Sequence, residues 1–206
     1  MGTRFIRKTT FYPFPVYEFN LPTGHSCPGA KDCKISVDRH TGKFTTTGKV
    51  FRCYAASAER FPAVRKYRWD NFDAVKRGEP IRVPAKATHV RIHSSGDFFS
   101  QVYFDQWLQV CKENPTVQFW AFTKSPQYWV NRMGQIPPNL TLQASKGGHS
   151  DHLIDKYKLK YAEVFQDRDK IPAGMEIDTN DVHAMTGKKS FALLDNSKYS
   201  KKDGPQ

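Results

Sequence analysis

Three cysteines stand early in the chain, Cys27, Cys33 and Cys53, with five residues between the first two and nineteen between the second and third. Cys27 and Cys33 flank a Pro-Gly-Ala loop. Cys53 closes the stretch KISVDRHTGKFTTTGKVFRCYA, whose alternation and Thr/Gly punctuation predict a small β-hairpin inserted at 34–53. A hairpin brings its end back beside its start, so the three sulfurs can converge. Three thiolates suit a 4Fe–4S cluster with one iron left open, or a zinc ion taking a fourth ligand such as His25. Incidental thiols with no ligand role are the plain alternative. Cys111 is set apart, because it shares a helical face with Phe104, Trp107 and Leu108 and reads as a small hydrophobe.

A lone carboxylate, Asp97, sits in the turn Ser94-Ser95-Gly96-Asp97 between an expected strand and an expected helix. It is either a site residue or a cap for the helix beginning near Ser100. The elements around it alternate. FPVYEFN and THVRIH read as strands, SQVYFDQWLQVCKE as an amphipathic helix, TVQFWAF as a strand and SPQYWVNRM as a helix. NLTLQAS, YAEVFQ and KSFALLD read as further strands, and GHSDHLIDKYK as a short helix or loop. From Ala55 to about Lys76 the pattern is helical, with a break at Pro62.

Strands alternating with helices imply parallel pairing, an α/β sheet or barrel, with ligands at the carboxyl ends of the strands. Those ends carry Cys27 with Cys33, Ser94 to Asp97, Thr123-Lys124-Ser125, Gln143 to Ser145 and Gln166-Asp167. The set is small, polar and chemically mixed, as a site is. One domain spans 1–206, with an N-terminal extension at 1–14 and a flexible polar tail at 196–206.

The net charge of +12 favours polyanions, so DNA or RNA bound through a basic face is an expected partner. Arg60, Arg65, Lys66 and Arg68 crowd one helical stretch, either as a phosphate-binding stripe or as a solvated face. No apolar run is long enough to span a membrane, and the basic N-terminus lacks the apolar core of a secretory signal. A cytoplasmic location is therefore expected, where four cysteines serve as thiols or metal ligands rather than disulfides.

The order of motifs resembles the radical S-adenosylmethionine (radical SAM) enzymes: a strand into a cysteine loop, then strand-HSSGDFF-helix, strand-FTKS-helix and strand-LQAS. It resembles more closely a group of tailed-bacteriophage proteins with such a barrel. Those carry a CYA cysteine, as in Cys53-Tyr54-Ala55, a turn like Thr123-Lys124-Ser125-Pro126, and a Pro-Pro-Asn leading into a strand, as in Pro137-Pro138-Asn139. The resemblance covers residues 15–165. It implies a partial, TIM-like (β/α) barrel of parallel strands and a 4Fe–4S cluster on Cys27, Cys33 and Cys53. It also implies S-adenosylmethionine as a small-molecule cofactor, with the host cytoplasm during infection as the location.

In that resemblance Asp97 receives the cofactor's ammonium, Ser95 and Gly96 keep the turn close, and Lys124, Ser125, Gln143 and Ser145 line cofactor or substrate, Lys124 beside Asp97 in the chemistry. The chain departs from the enzymes in three ways. Its cysteines are not confined to one short loop, Asp97 replaces the commoner Glu, and Ser-Ser-Gly replaces Gly-Gly. Two other readings stay open. One is a nucleobase transglycosylase on a TIM-like barrel, with Asp97 as nucleophile and zinc on the cysteines. The other is a non-enzymatic, basic, nucleic-acid-binding phage protein whose cysteines hold a structural metal.

Overall fold

The computed structural model describes residues 2–46 and 53–195. Its main sheet contains, in spatial order, β1 (Ile6–Lys8), β2 (Val16–Phe19), β5 (His89–Ile92), β6 (Gln118–Thr123), β7 (Leu140–Ser145), β8 (Tyr161–Phe165) and β9 (Phe191–Leu194). β1 runs antiparallel to β2, and every later neighbour is parallel. β3 (Ile35–Val37) and β4 (Phe44–Thr46) form a separate antiparallel pair. The helices are α1 (Pro62–Lys76), α2 (Gln101–Glu113), α3 (Pro126–Val130), α4 (His152–Lys156) and α5 (Val182–Thr186).

From β2 onward each strand of the main sheet lies beside the next one in the chain, so the winding never reverses. A doubly wound sheet would have a switch point; this order has none and is compatible with the expected partial barrel. Among the described residues the sheet is open, with β1 at one edge and β9 at the other. No helix there is long and apolar enough to cross a membrane.

The central strands β5, β6 and β7 are largely buried on both faces, whereas β8 is mostly half-buried. One face carries Phe19, Val90, Ile92, Phe119, Ala121, Leu140 and Leu142, packed against Phe104, Trp107 and Leu108 of α2 and Phe72 and Val75 of α1. Cys111 belongs to this core. The opposite face carries Val16, Trp120, Ala162 and Phe191 against Ala184 of α5. Here polar side chains interrupt the apolar surface: Glu18, Arg91 and Gln143 are all buried.

The stretch from Ala55 to Lys76 divides where Pro62 sits. A 3-10 run covers Tyr54–Arg60, and α1 starts at Pro62, where a missing N–H costs nothing. The expected hairpin is present as β3 and β4, and its later part, 47–52, lies outside the described residues, as does the expected tail. The N-terminal extension contributes strand β1.

Two members of the expected basic stripe have internal duties. Arg65 donates to four backbone carbonyls: Glu59 at 2.7 Å, Arg60 at 2.9 Å, and Arg39 and His40 at 3.3 Å each. Arg68 is buried against Glu59 and the Ala55 carbonyl. The four cations therefore do not form one exposed stripe. Arg60 and Lys66 remain on the surface, Lys66 paired with Asp70.

Candidate functional site

The carboxyl end of β2 runs into the segment that carries Cys27 and Cys33. This cysteine loop is fastened by backbone contacts to the turns after β6 and β7. Lys31 and Asp32 donate their N–H groups to the Gly147 carbonyl at 3.2 and 3.0 Å, and His149 N–H reaches the Gly29 carbonyl at 2.9 Å. Ala30 bridges to Gly148. At Gly29 a Cβ would fall 2.0 Å from the Lys124 carbonyl oxygen, so only glycine allows this approach.

Cys53 immediately precedes the 3-10 run, whose first residue, Tyr54, donates its hydroxyl to the Ser94 carbonyl at 2.8 Å. All three cysteines are free and partly exposed. Cys27 feels the charge of Asp97, while Cys33 feels Lys124 and Asp97. Desolvation by the surrounding protein raises all three thiols, Cys53 to about 11, so they are neutral at pH 7. Cys27 and Cys33 thus share one loop, and the Tyr54 hydrogen bond holds the residue after Cys53 against the Ser94 end of the Asp97 turn. Among the described residues, no three His, Cys, Asp or Glu side chains are already drawn into a ligating group. His25, the conceivable fourth ligand, bonds the Val37 carbonyl through Nε2 at 3.1 Å and packs 4.8 Å from the Trp69 ring.

Asp97 is 4% exposed, and its carboxylate joins the ends of β5 and β6. Oδ1 accepts from Phe98 N–H and Thr123 Oγ1, both at 2.7 Å, and Oδ2 accepts from Lys124 N–H at 2.8 Å. One acceptor position is left on Oδ2. Burial pushes its pKa up to about 6, against the pull of those donors. The helix cap is Ser100, whose hydroxyl accepts from Tyr103 N–H at 3.2 Å.

Ser95 faces the first loop, bonding Asn20 Oδ1 through its N–H at 2.9 Å and the Leu21 carbonyl through its hydroxyl at 3.0 Å. Gly96 has φ 89°, and a Cβ there would meet Leu21 and Ser26 at 2.6 Å. Both residues thus hold the turn against the segment before Cys27.

Lys124 reaches across to the end of β7, donating to Ser145 Oγ at 2.9 Å and to the Ser145 and Lys146 carbonyls. Ser125 Oγ is buried with no hydrogen-bond partner among the described residues. Gln143 is fully buried on the polar face of the sheet, and among the described residues neither its amide nitrogen nor its amide oxygen has a partner. Buried amides are almost always paired, which makes this one an exception in the fold.

The sequence family described as Gene product 88 matches residues 3–204, nearly the whole chain. The chain belongs to the Gene product 88 family. The Gene 88 protein of Mycobacterium phage L5 is 46% identical over 55 residues, 27% of this chain and 23% of that protein. The Gene 88 protein of Mycobacterium phage D29 is 42% identical over 55 residues, with the same shares. The chain thus spans 23% of the length of the curated relatives it matches. No solved structure matches. The expected kinship with phage proteins is supported. The likeness to radical SAM enzymes has no counterpart among these matches.

This Gene product 88 family member also carries a polar group that sequence reasoning missed. Arg91 is ion-paired with Asp181 at 2.9 Å and donates to the hydroxyls of Tyr12 and Tyr54 at 3.2 Å each. Trp120 Nε1 donates to the same Asp181 oxygen at 3.1 Å, and Tyr12 donates to Glu18 at 3.1 Å. The arrangement links Tyr54, beside Cys53, to the middle of the sheet. A signal for part of it was present: Asp and Asn before Val182 and Gly187 after Thr186 mark a short helix. His93, at φ 65°, bonds Tyr103 through Nε2 at 2.8 Å, and burial drives its pKa down to about 3.

Proposed function

We propose that this chain is an iron–sulfur protein that holds its cluster on Cys27, Cys33 and Cys53, in the manner of the radical SAM enzymes, and acts on nucleic acid or a nucleotide. The observation that supports the reading is that the loop carrying Cys27 and Cys33 is fastened at the carboxyl edge of a parallel sheet, while Tyr54, next to Cys53, bonds the Ser94 carbonyl of the turn that Asp97 holds. The donor set fits such a group: three sulfur ligands, neutral until a metal displaces their protons, on a loop fixed by backbone contacts.

A cluster bound by three thiolates has one iron open to a further ligand and supplies one-electron chemistry. The chain's own residues have separate duties. Asp97 offers one remaining acceptor position to a cationic group. Ser95 and Gly96 keep the turn close to the cysteine segment. Lys124, Ser125, Gln143 and Ser145 line the adjoining edge, where the unpartnered amide of Gln143 can pair with a neighbouring donor and acceptor on a bound nucleoside. The net charge of +12 supports a polyanionic substrate.

The test is oxygen-free purification with metal and sulfide analysis. The reading expects brown protein containing iron and acid-labile sulfide, and 5′-deoxyadenosine released when S-adenosylmethionine and a reductant are added. Colourless protein that holds zinc alone would overturn it and favour a structural metal.

A further inference from the structure

The wide separation of Cys33 and Cys53 raises a physical problem: a short cysteine loop fixes the distances between its sulfurs covalently, whereas here a hairpin intervenes. Something other than chain length must hold Cys53 in register with Cys27. We infer that Glu59 is the positioning residue that does so, an inference resting on the three-thiol reading above.

Glu59 lies in the 3-10 run that follows Cys53 and is 0% exposed. Its Oε1 accepts three hydrogen bonds, from Thr23 N–H at 2.7 Å, Thr23 Oγ1 at 2.6 Å and Arg68 Nη1 at 2.8 Å. Thr23 belongs to the segment leading into Cys27, and its hydroxyl stands 3.1 Å from Ser95 Oγ in the turn before Asp97. Arg68 projects from α1 and also grips the Ala55 carbonyl at 3.0 Å, two residues after Cys53. One buried carboxylate oxygen therefore ties together the Cys53 segment, the Cys27 segment and the Asp97 turn.

A charged group taken wholly out of water persists only where its partners are fixed. Any slip of the Cys53 segment along the Cys27 segment would strand that charge. The lock acts on Cys53 against Cys27, whereas Cys27 and Cys33 share one loop and are held by Gly29 and Gly147 independently of it.

The test uses the full reduced chain and dibromobimane, which fluoresces only when it bridges two nearby thiols, with the bridged peptides located by mass spectrometry. Parallel samples are reconstituted with iron and sulfide. In Glu59→Ala and Thr23→Val, Cys27–Cys53 bridging should slow about tenfold, the size of one lost charge-assisted hydrogen bond. Cys27–Cys33 bridging should be unchanged, and iron retention should fall. Glu59→Gln, which keeps the acceptor for Thr23, should recover most of the bridging.

Should Glu59→Ala fail to fold by circular dichroism, Thr23→Val and Glu59→Gln decide the matter. Equal Cys27–Cys53 bridging in Thr23→Val and wild type would overturn the inference. Wild-type protein that shows the bridging pattern and takes up no iron or sulfide would uphold the positioning role while sinking the cluster reading.

Discussion

Thr123 Oγ1 stands 2.7 Å from Asp97 Oδ1, and the next backbone N–H, that of Lys124, binds the other oxygen of the same carboxylate at 2.8 Å. The end of one strand thus grips the turn that follows its neighbour. A group that accepts from three donors must be an acceptor on both oxygens. Asp97→Asn would turn an amide N–H₂ toward one of those donors. The expected loss is about 1–3 kcal/mol of stability, read as a lower urea midpoint with unchanged slope. Ser100→Ala should cost about 1 kcal/mol, because Ser100 is the helix cap.

Lowering the pH should expose His93. Its folded pKa is depressed to about 3 from the ordinary 6.5, so the unfolded chain takes up the proton first. The stabilising contribution of neutral His93 is complete above pH 6.5 and is lost as pH falls toward 3. Asp97 runs the other way: its pKa is raised to about 6, so its contribution is full below 3.8 and is lost as pH rises through 6. The comparison is therefore wild type against His93→Asn at each pH, since Asn tolerates the left-handed backbone. The difference in unfolding midpoint should shift in favour of the variant as pH drops from 6.5.

Gly29→Ala should lift the cysteine loop. The added methyl would sit 2.0 Å from the Lys124 carbonyl, and that partner is backbone and cannot rotate away. The expected cost is about 1–3 kcal/mol, as for other overpacked sites. The sharper readout is chemical: Cys27 and Cys33 should be alkylated faster by iodoacetamide in native protein, while Cys111, in the core, stays protected.

Arg91→Met should destabilise the fold by about 3–5 kcal/mol, because it leaves Asp181 buried without its cation. Replacing both, Arg91→Met with Asp181→Leu, should restore much of that loss. A double-mutant cycle in urea measures the coupling. Recovery in the double variant would mean that the pair serves specificity of packing more than net stability.

The longest periodic segments were legible from sequence. In α2 the spacing of Phe104, Trp107, Leu108 and Cys111 names the buried face, and β6 and β7 are bounded by polar turns. The parallel winding follows from the alternation of elements. β1 and α5 show no periodicity, because three and five residues contain too few periods to stand out, and only the flanking Asn-Asp and Gly187 mark α5. Arg65 and Arg68 were misleading for a different reason: four cations on one helical stretch look solvated, and only the tertiary arrangement shows that Arg65 meets four carbonyls and Arg68 a buried carboxylate. That Cys27 and Cys33 share a loop at the carboxyl edge of the sheet was legible from the strand that precedes them. Glu59, buried against Thr23 and Arg68, carries no local mark in sequence.

Arg65 touches the hairpin at Arg39 and His40 and, with the same guanidinium, the backbone at Glu59 and Arg60. The insert is thereby moored at its distal bend as well as at its root. Extra residues spliced in beyond that mooring would hang outward like a pendant, which makes the bend a natural place to attach a tag or a dye.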